Sequence, residues 1–158
     1  MAGRVLVGYG SKRGSTREVA ESIAAALREQ GFEVDFGDAG DFKKPVGYLG
    51  VVIGGALYGG RWHSHARRLL KRLRRMAYPG GIAVFALGPR RDEPLAFERS
   101  RNQLRRELEK QKGIEPVAFA IFGGADAKKG IDIRDWDAIG AWAEEVGKAF
   151  GEVRPRLD

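Results

Sequence analysis

Along the chain, short apolar runs bounded by glycine or proline alternate with longer segments whose apolar residues return every three or four positions. Residues 4–9, 33–36, 50–54, 82–87 and 117–122 are of the first kind and read as β-strands, several of them apolar almost throughout, as strands covered on both faces must be. The second kind reads as amphipathic helices. Their stripes are Val19, Ile23, Ala24 and Leu27; Leu69, Leu70, Leu73 and Met76; Phe97, Leu104 and Leu108; and Trp136, Ile139, Ala143, Val146 and Phe150. Residues 37–47 are too few and too glycine-rich for a crossover helix, and a turn or two of helix is expected there at most.

Strands alternating with helices predict an α/β fold, because right-handed crossovers place helices on both faces of a parallel sheet. Five strands in this length fit a doubly wound sheet of order 2-1-3-4-5, whose ligands bind beyond the carboxyl ends of the strands where the order reverses. The ends of the first and third strands are the place to look. A single domain is expected over residues 1–152, with 153–158 as a loose tail.

Composition narrows the chemistry. The 158 residues are 43% hydrophobic and 31% charged, enough apolar material for a core, and they include no cysteine. Disulfides, thiolate metal sites and cysteine nucleophiles are thereby excluded. No stretch reaches the roughly 20 apolar residues of a membrane span, and the N-terminus lacks signal-peptide character. A cytoplasmic location is expected, with peripheral contact at a membrane surface compatible with it. The 23 glycines serve as punctuation and form no repeat.

The first strand runs into Tyr9-Gly10-Ser11-Lys12-Arg13-Gly14-Ser15-Thr16, and a helix begins there. A loop folded back over a helix N-terminus can enclose a phosphate, because the unpaired N–H groups and the positive end of the helix dipole point at it. Gly10 and Gly14 allow the turn, while Ser11, Ser15 and Thr16 add hydroxyl donors. A plain N-cap by Ser15 or Thr16, with Glu18 completing a capping box, is the competing reading. A P-loop would need Lys directly after its last glycine, and the spacing of Gly8, Gly10 and Gly14 misses the dinucleotide fingerprint by one residue.

After the third strand, Gly54-Gly55-Ala56-Leu57-Tyr58-Gly59-Gly60-Arg61-Trp62-His63-Ser64 reads as an exposed glycine-rich loop. Tyr58 and Trp62 could offer π faces to a flat ligand, while backbone amides here and around Leu87-Gly88-Pro89-Arg90 could bond its edge. Trp62 could equally staple the following helix. His63 and His65, two apart without a third ligand, make no convincing metal site, and none is expected.

The run Ser11-Lys12-Arg13-Gly14-Ser15-Thr16 resembles the Ser/Thr-x-x-Gly-x-Thr phosphate loop of flavodoxins, and the resemblance extends over nearly the whole chain. It implies a flavodoxin-like fold and FMN, with residues 11–16 on the phosphate and Ala56, Leu57, Tyr58, Gly59, Gly60, Trp62, Leu87, Gly88, Pro89 and Arg90 around the ring. Electron or hydride chemistry would then belong to the flavin, and no catalytic side-chain triad is expected. Val51-Val52-Ile53-Gly54, Tyr58, Gly60, Trp62, His63, Ser64 and the late Asp135-Trp136 are most similar to the menaquinone-dependent protoporphyrinogen oxidase branch. That branch implies porphyrinogen oxidation with electrons passed to a quinone. It carries a long basic and aromatic insertion before its last helix, where this chain has only residues 123–134.

Charge suggests partners. The formal charge is +7, and residues 61–75 hold Arg61, Arg67, Arg68, Lys71, Arg72, Arg74 and Arg75 with no acid among them. Such a band suits an anionic redox partner, a propionate-bearing tetrapyrrole or an anionic membrane where a quinone resides. A solvated helix face is the plainer reading, and the absence of any nucleic-acid motif argues against nucleic acid as a partner. Arg90 or Arg91 near the flavin pyrimidine would raise its reduction potential. A flavin-free scaffold using the Arg-rich helix is the remaining alternative.

Overall fold

A computed structural model describes residues 3–153; of the expected tail, only Val153 lies within the described residues. The elements run β1 (Arg4–Gly10), α1 (Ser15–Glu29), β2 (Glu33–Asp38), β3 (Gly50–Tyr58), β4 (Arg61–Trp62), α2 (Ser64–Arg75), β5 (Gly81–Leu87), α3 (Pro94–Glu109), β6 (Ala118–Phe122), β7 (Ala125–Asp126), β8 (Ile131–Asp132) and α4 (Trp136–Gly151). A single 3-10 turn at Ala39–Asp41 is the short helical piece expected after β2.

β2, β1, β3, β5 and β6 pair in that order and in parallel, which is the order 2-1-3-4-5 once the two-residue β4 is set aside. The register brings the strand ends level, with Gly10 opposite Gly55, Ala56 opposite Leu87 and Leu87 opposite Phe122. Alternation along each strand divides the core in two. Val5, Val7, Val52 and Phe85 pack with α1 and α4. Leu6, Val51, Ile53 and Val84 pack with α2 and α3. Each large side chain so removed from water contributes about 1.5–3 kcal/mol.

Two stripe members fall outside the core. Met76 is 38% exposed because α2 ends at Arg75 and Ala77, at φ 50°, turns the chain away. Trp136 opens α4 before its buried stripe begins at Ile139 and lies under the Arg134 guanidinium, 5.0 Å from the ring centre.

The larger correction concerns residues 54–64, which are not a loop. β3 continues to Tyr58, turns through Gly59 and Gly60, and returns as β4, pairing Leu57 with Trp62 and Tyr58 with Arg61. A Cβ on Gly54 would run into the Phe85 ring, and one on Gly55 would lie 2.7 Å from the Trp62 indole nitrogen. Gly54 leaves room for the Phe85 ring of the neighbouring strand and Gly55 for the Trp62 indole folded back from β4.

Candidate functional site

β1 delivers the chain to Gly10 and α1 starts at Ser15, so residues 11–14 fold over the helix N-terminus. Gly14 holds the N-cap position at φ 91°, a left-handed conformation that suits glycine and brings no side chain to cap the helix. The first helical bond runs from Glu18 N to Gly14 O at 3.1 Å, leaving the amides of Ser15, Thr16 and Arg17 without partners along the helix. Ser11 Oγ accepts from Gly14 N at 2.9 Å and keeps its own proton to donate. Thr16 is fully buried, and its Oγ1 has no hydrogen-bond partner. The capping box does not form: no side chain caps α1, and Glu18 instead accepts from Arg134 Nη1 at 3.0 Å.

A buried hydroxyl left unpaired costs about 1–3 kcal/mol. An anion seated over the free amides and dipole of α1 would accept from that hydroxyl and recover the cost. The residues present therefore fit a phosphate.

Ser15, Ala56, Leu57, Tyr58, Leu87, Gly88 and Arg90 meet in one slot of about 20 Å³ at the strand ends, closed by Gly124 and Ala125. Residues from all three expected segments thus come together. Lys12 lies over the Tyr58 ring, its Nζ 5.1 Å from the ring centre. Trp62 is a correction to the expected ring contacts. It is 1% exposed, its indole N–H donates to Phe85 O at 3.3 Å, and its ring belongs to the core between the sheet and α2. Pro89 is buried and its carbonyl accepts from Gly124 N at 2.7 Å, which joins the third segment to the loop after β6.

Two side chains of the site escaped sequence reasoning. Asp126, 5% exposed, accepts from Arg90 at 3.1 Å, lies 3.9 Å from the Arg13 guanidinium and caps the following turn through Lys128 N. It bridges Arg13 of the turn before α1 and Arg90 of the third segment and offsets their charge. Arg134, with its side chain 9% exposed, donates to Ser15 O at 3.2 Å and to Glu18 and Asp132, placing a guanidinium against the first turn of α1. Its hydrogen bonds to Asp132 hold that carboxyl down at about 2. Between α1 and the β7–β8 hairpin a cleft of about 440 Å³ opens, with Arg13, Ser15, Ile131 and Arg134 in its wall. Spacing in the chain could not reveal these partners, since Arg134 meets Ser15 across 119 positions.

The two histidines set aside as metal ligands pair beside Gly10. His63 Nδ1 accepts from His65 N at 3.1 Å and so caps α2, while His65 Nδ1 sits 2.7 Å from Asp38 Oδ1. Burial first, and then the neighbouring His65, depress the His63 pKa below its ordinary value. Among the described residues, no three His, Cys, Asp or Glu side chains come together as a metal site.

The basic band is divided by the fold. Arg72 donates to Phe42 O at 3.2 Å and Arg74 to Gln111 Oε1 at 2.7 Å, while Arg61, Arg67, Arg68 and Lys71 gather on the side facing α3. Among the described residues, no helix is long and apolar enough to cross a membrane.

A doubly wound sheet of this order has its switch point at the carboxyl ends of β1 and β3, and both the uncapped start of α1 and the slot beside Tyr58 lie there. The flavodoxin-domain family model matches residues 6–143, and the chain belongs to the flavodoxin family. Membership makes it an FMN-binding redox protein. The chain is similar to protoporphyrinogen IX dehydrogenase (quinone) of Escherichia coli K12, 22% identical across 90% of this chain and 94% of that protein. Among solved structures it resembles a single-site mutant of the flavodoxin of Pseudomonas aeruginosa (19% identity, 94% and 99% of the two chains, TM-score 0.65). It also resembles rubredoxin:oxygen oxidoreductase of Desulfovibrio gigas (15% identity, TM-score 0.66), where 94% of this chain corresponds to 36% of that one.

Proposed function

We propose that the chain holds FMN with its phosphate on residues 11–16 and its ring between the Ala56–Gly60 hairpin and the Leu87–Arg90 segment, and carries electrons through it. The observation that carries this reading is the unpaired, buried Thr16 hydroxyl beside the uncapped start of α1. The flavin supplies the electron or hydride chemistry. The protein supplies the rest: amides and hydroxyls that neutralise the phosphate, the Tyr58 face, and the Asp126 clamp that fixes how Arg13 and Arg90 are presented. The partner proposed for this electron transfer is anionic and approaches the basic side formed by Arg67, Arg68 and Lys71.

The test is an absorption spectrum of the purified protein before and after FMN addition, repeated with NAD(P) as competitor. Flavin absorbance retained through gel filtration and undisturbed by NAD(P) supports the proposal. A protein that stays colourless with excess FMN is instead the scaffold, and displacement by NAD(P) makes it a dinucleotide site.

A second reading is favoured by the similarity to the Escherichia coli dehydrogenase over 90% of the chain. In that reading the flavin oxidises a porphyrinogen and a quinone, at an anionic membrane surface, takes the electrons. Residues 123–134, where that branch carries its insertion, hold only the short β7–β8 hairpin and one 3-10 turn. Steady quinone-dependent turnover of protoporphyrinogen IX would establish this reading over simple electron carriage.

A further inference from the structure

We propose that the cavity between α2 and α3 is a second anion-binding site, separate from the phosphate loop, for a compact polyanion presenting two or more carboxylate or phosphate groups. The cavity has a volume of about 290 Å³. Its wall brings together Arg61 of β4, Arg67, Arg68 and Lys71 of α2, and Lys110 at the end of α3, around a single acid, Glu107.

Glu107 is 5% exposed and is the local counter-charge. Lys110 Nζ donates to its Oε1 at 2.8 Å, whereas Arg67 Nε stands 3.7 Å and Arg61 Nε 4.0 Å from the carboxylate, beyond hydrogen-bond reach. One carboxylate cannot balance five cations crowded around one concavity, so an excess of positive charge faces the space. The Arg67 guanidinium is also fixed in place, because its Nε donates to Trp62 O at 2.9 Å. A held guanidinium with its terminal nitrogens uncommitted is the donor geometry that carboxylates and phosphates match in pairs. Leu70 and Gln111 complete the wall with an apolar surface and an amide.

The chemistry follows from the count. A monoanion would leave most of these cations unanswered, whereas a small frame bearing two or three anionic groups answers several at once. Position gives the site a use: Arg61 is the cross-strand partner of Tyr58, so the cavity begins one residue pair from the proposed ring slot. A redox substrate anchored here by its anionic end would have its remaining atoms beside the Tyr58 hairpin.

The test is a calorimetric titration of FMN-saturated protein with inorganic pyrophosphate and, separately, with citrate at constant ionic strength. The expected result is saturable one-site binding of at least one probe, weakened about tenfold or more by the Arg68→Ala/Lys71→Ala pair. Arg75→Ala/Lys148→Ala removes the same charge from exposed positions outside the cavity and is expected to change affinity by no more than about twofold. Glu107→Gln is expected to tighten binding; the exposed Arg68 and Lys71 pair keeps the test decisive if that variant does not fold. Preference for pyrophosphate or for citrate supports the site and identifies its phosphate or carboxylate character. Equal losses in the two double variants, displacement of the probe by FMN, or no saturation would overturn the proposal. Should the protein take up no FMN, the same titration on the flavin-free protein, with Thr16→Val as the phosphate-loop control, tests the cavity independently of the flavin reading.

Discussion

Replacing Thr16 by valine exchanges the buried hydroxyl for a methyl group of the same shape, and the structure predicts opposite effects in the two states of the protein. Without FMN, Thr16 Oγ1 is buried and unpaired, so its removal relieves a penalty of about 1–3 kcal/mol. For a chain of this size that is a rise in Tm of roughly 2–4 °C per kcal/mol. With FMN, the variant loses a hydrogen bond to a charged group, about 1.5–3 kcal/mol, which weakens binding roughly 10- to 150-fold. Thermal denaturation of the flavin-free proteins followed by circular dichroism, together with fluorescence titration of FMN into each, measures both effects. Because bound ligand stabilises the folded state in proportion to the logarithm of its concentration over Kd, the advantage of the variant should shrink as FMN is added. A flavin-free variant less stable than the parent, with FMN affinity unchanged, would refute the reasoning: the hydroxyl would then already be satisfied within the protein and would not face a phosphate.

Three further outcomes follow from the charges. His63 has a depressed pKa, so the unfolded chain takes up protons first, and its contribution to stability is present above about pH 6.5 and lost as pH falls toward the folded value. His63→Asn keeps an acceptor for the α2 cap and should flatten that part of a pH series of urea midpoints. Asp132, lowered to about 2 from 3.8 chiefly by Arg134, gives stability that is present above pH 3.8 and lost as pH falls toward 2. The pair is half exposed on the Asp132 side, so Asp132→Asn should remove no more than about 1 kcal/mol of that acid dependence in acid titrations followed by circular dichroism. Asp126→Asn releases Arg90 and Arg13 from their counter-charge and should raise the flavin reduction potential in a dye-coupled titration; an unchanged or lower potential would show that these cations do not act on the ring.

Much of the fold was legible because strands buried on both faces must be apolar throughout and helices covering them must carry one stripe, as Val19, Ile23, Ala24 and Leu27 do. The turn over the start of α1 was legible for a local reason: turn glycines and hydroxyls adjacent in sequence are adjacent at a helix N-terminus. The second segment misled because glycine has two uses. Gly54 and Gly55 lack side chains so that Phe85 and Trp62 can pack against the strand, and a composition suggesting an exposed loop belonged to a buried strand and a hairpin. Trp62 moved from ligand face to core for the same reason. Asp126 and Arg134 were illegible because their partners, Arg90, Ser15 and Glu18, lie 36 to 119 positions away and only the closed sheet brings them near. The basic band appeared continuous in sequence, but helical rotation gives Arg72 to Phe42 and Arg74 to Gln111 and leaves Arg61, Arg67, Arg68 and Lys71 around the cavity that Glu107 lines.

The central claim is that the start of α1 binds the phosphate of the flavin. Titrating the protein with FMN and with riboflavin, which differ only in that phosphate, isolates the contribution. With two or more charge-assisted bonds from the amides and hydroxyls of residues 11–16, FMN should bind about a hundredfold or more tightly than riboflavin. Equal affinity for the two, or binding of neither, would contradict the account.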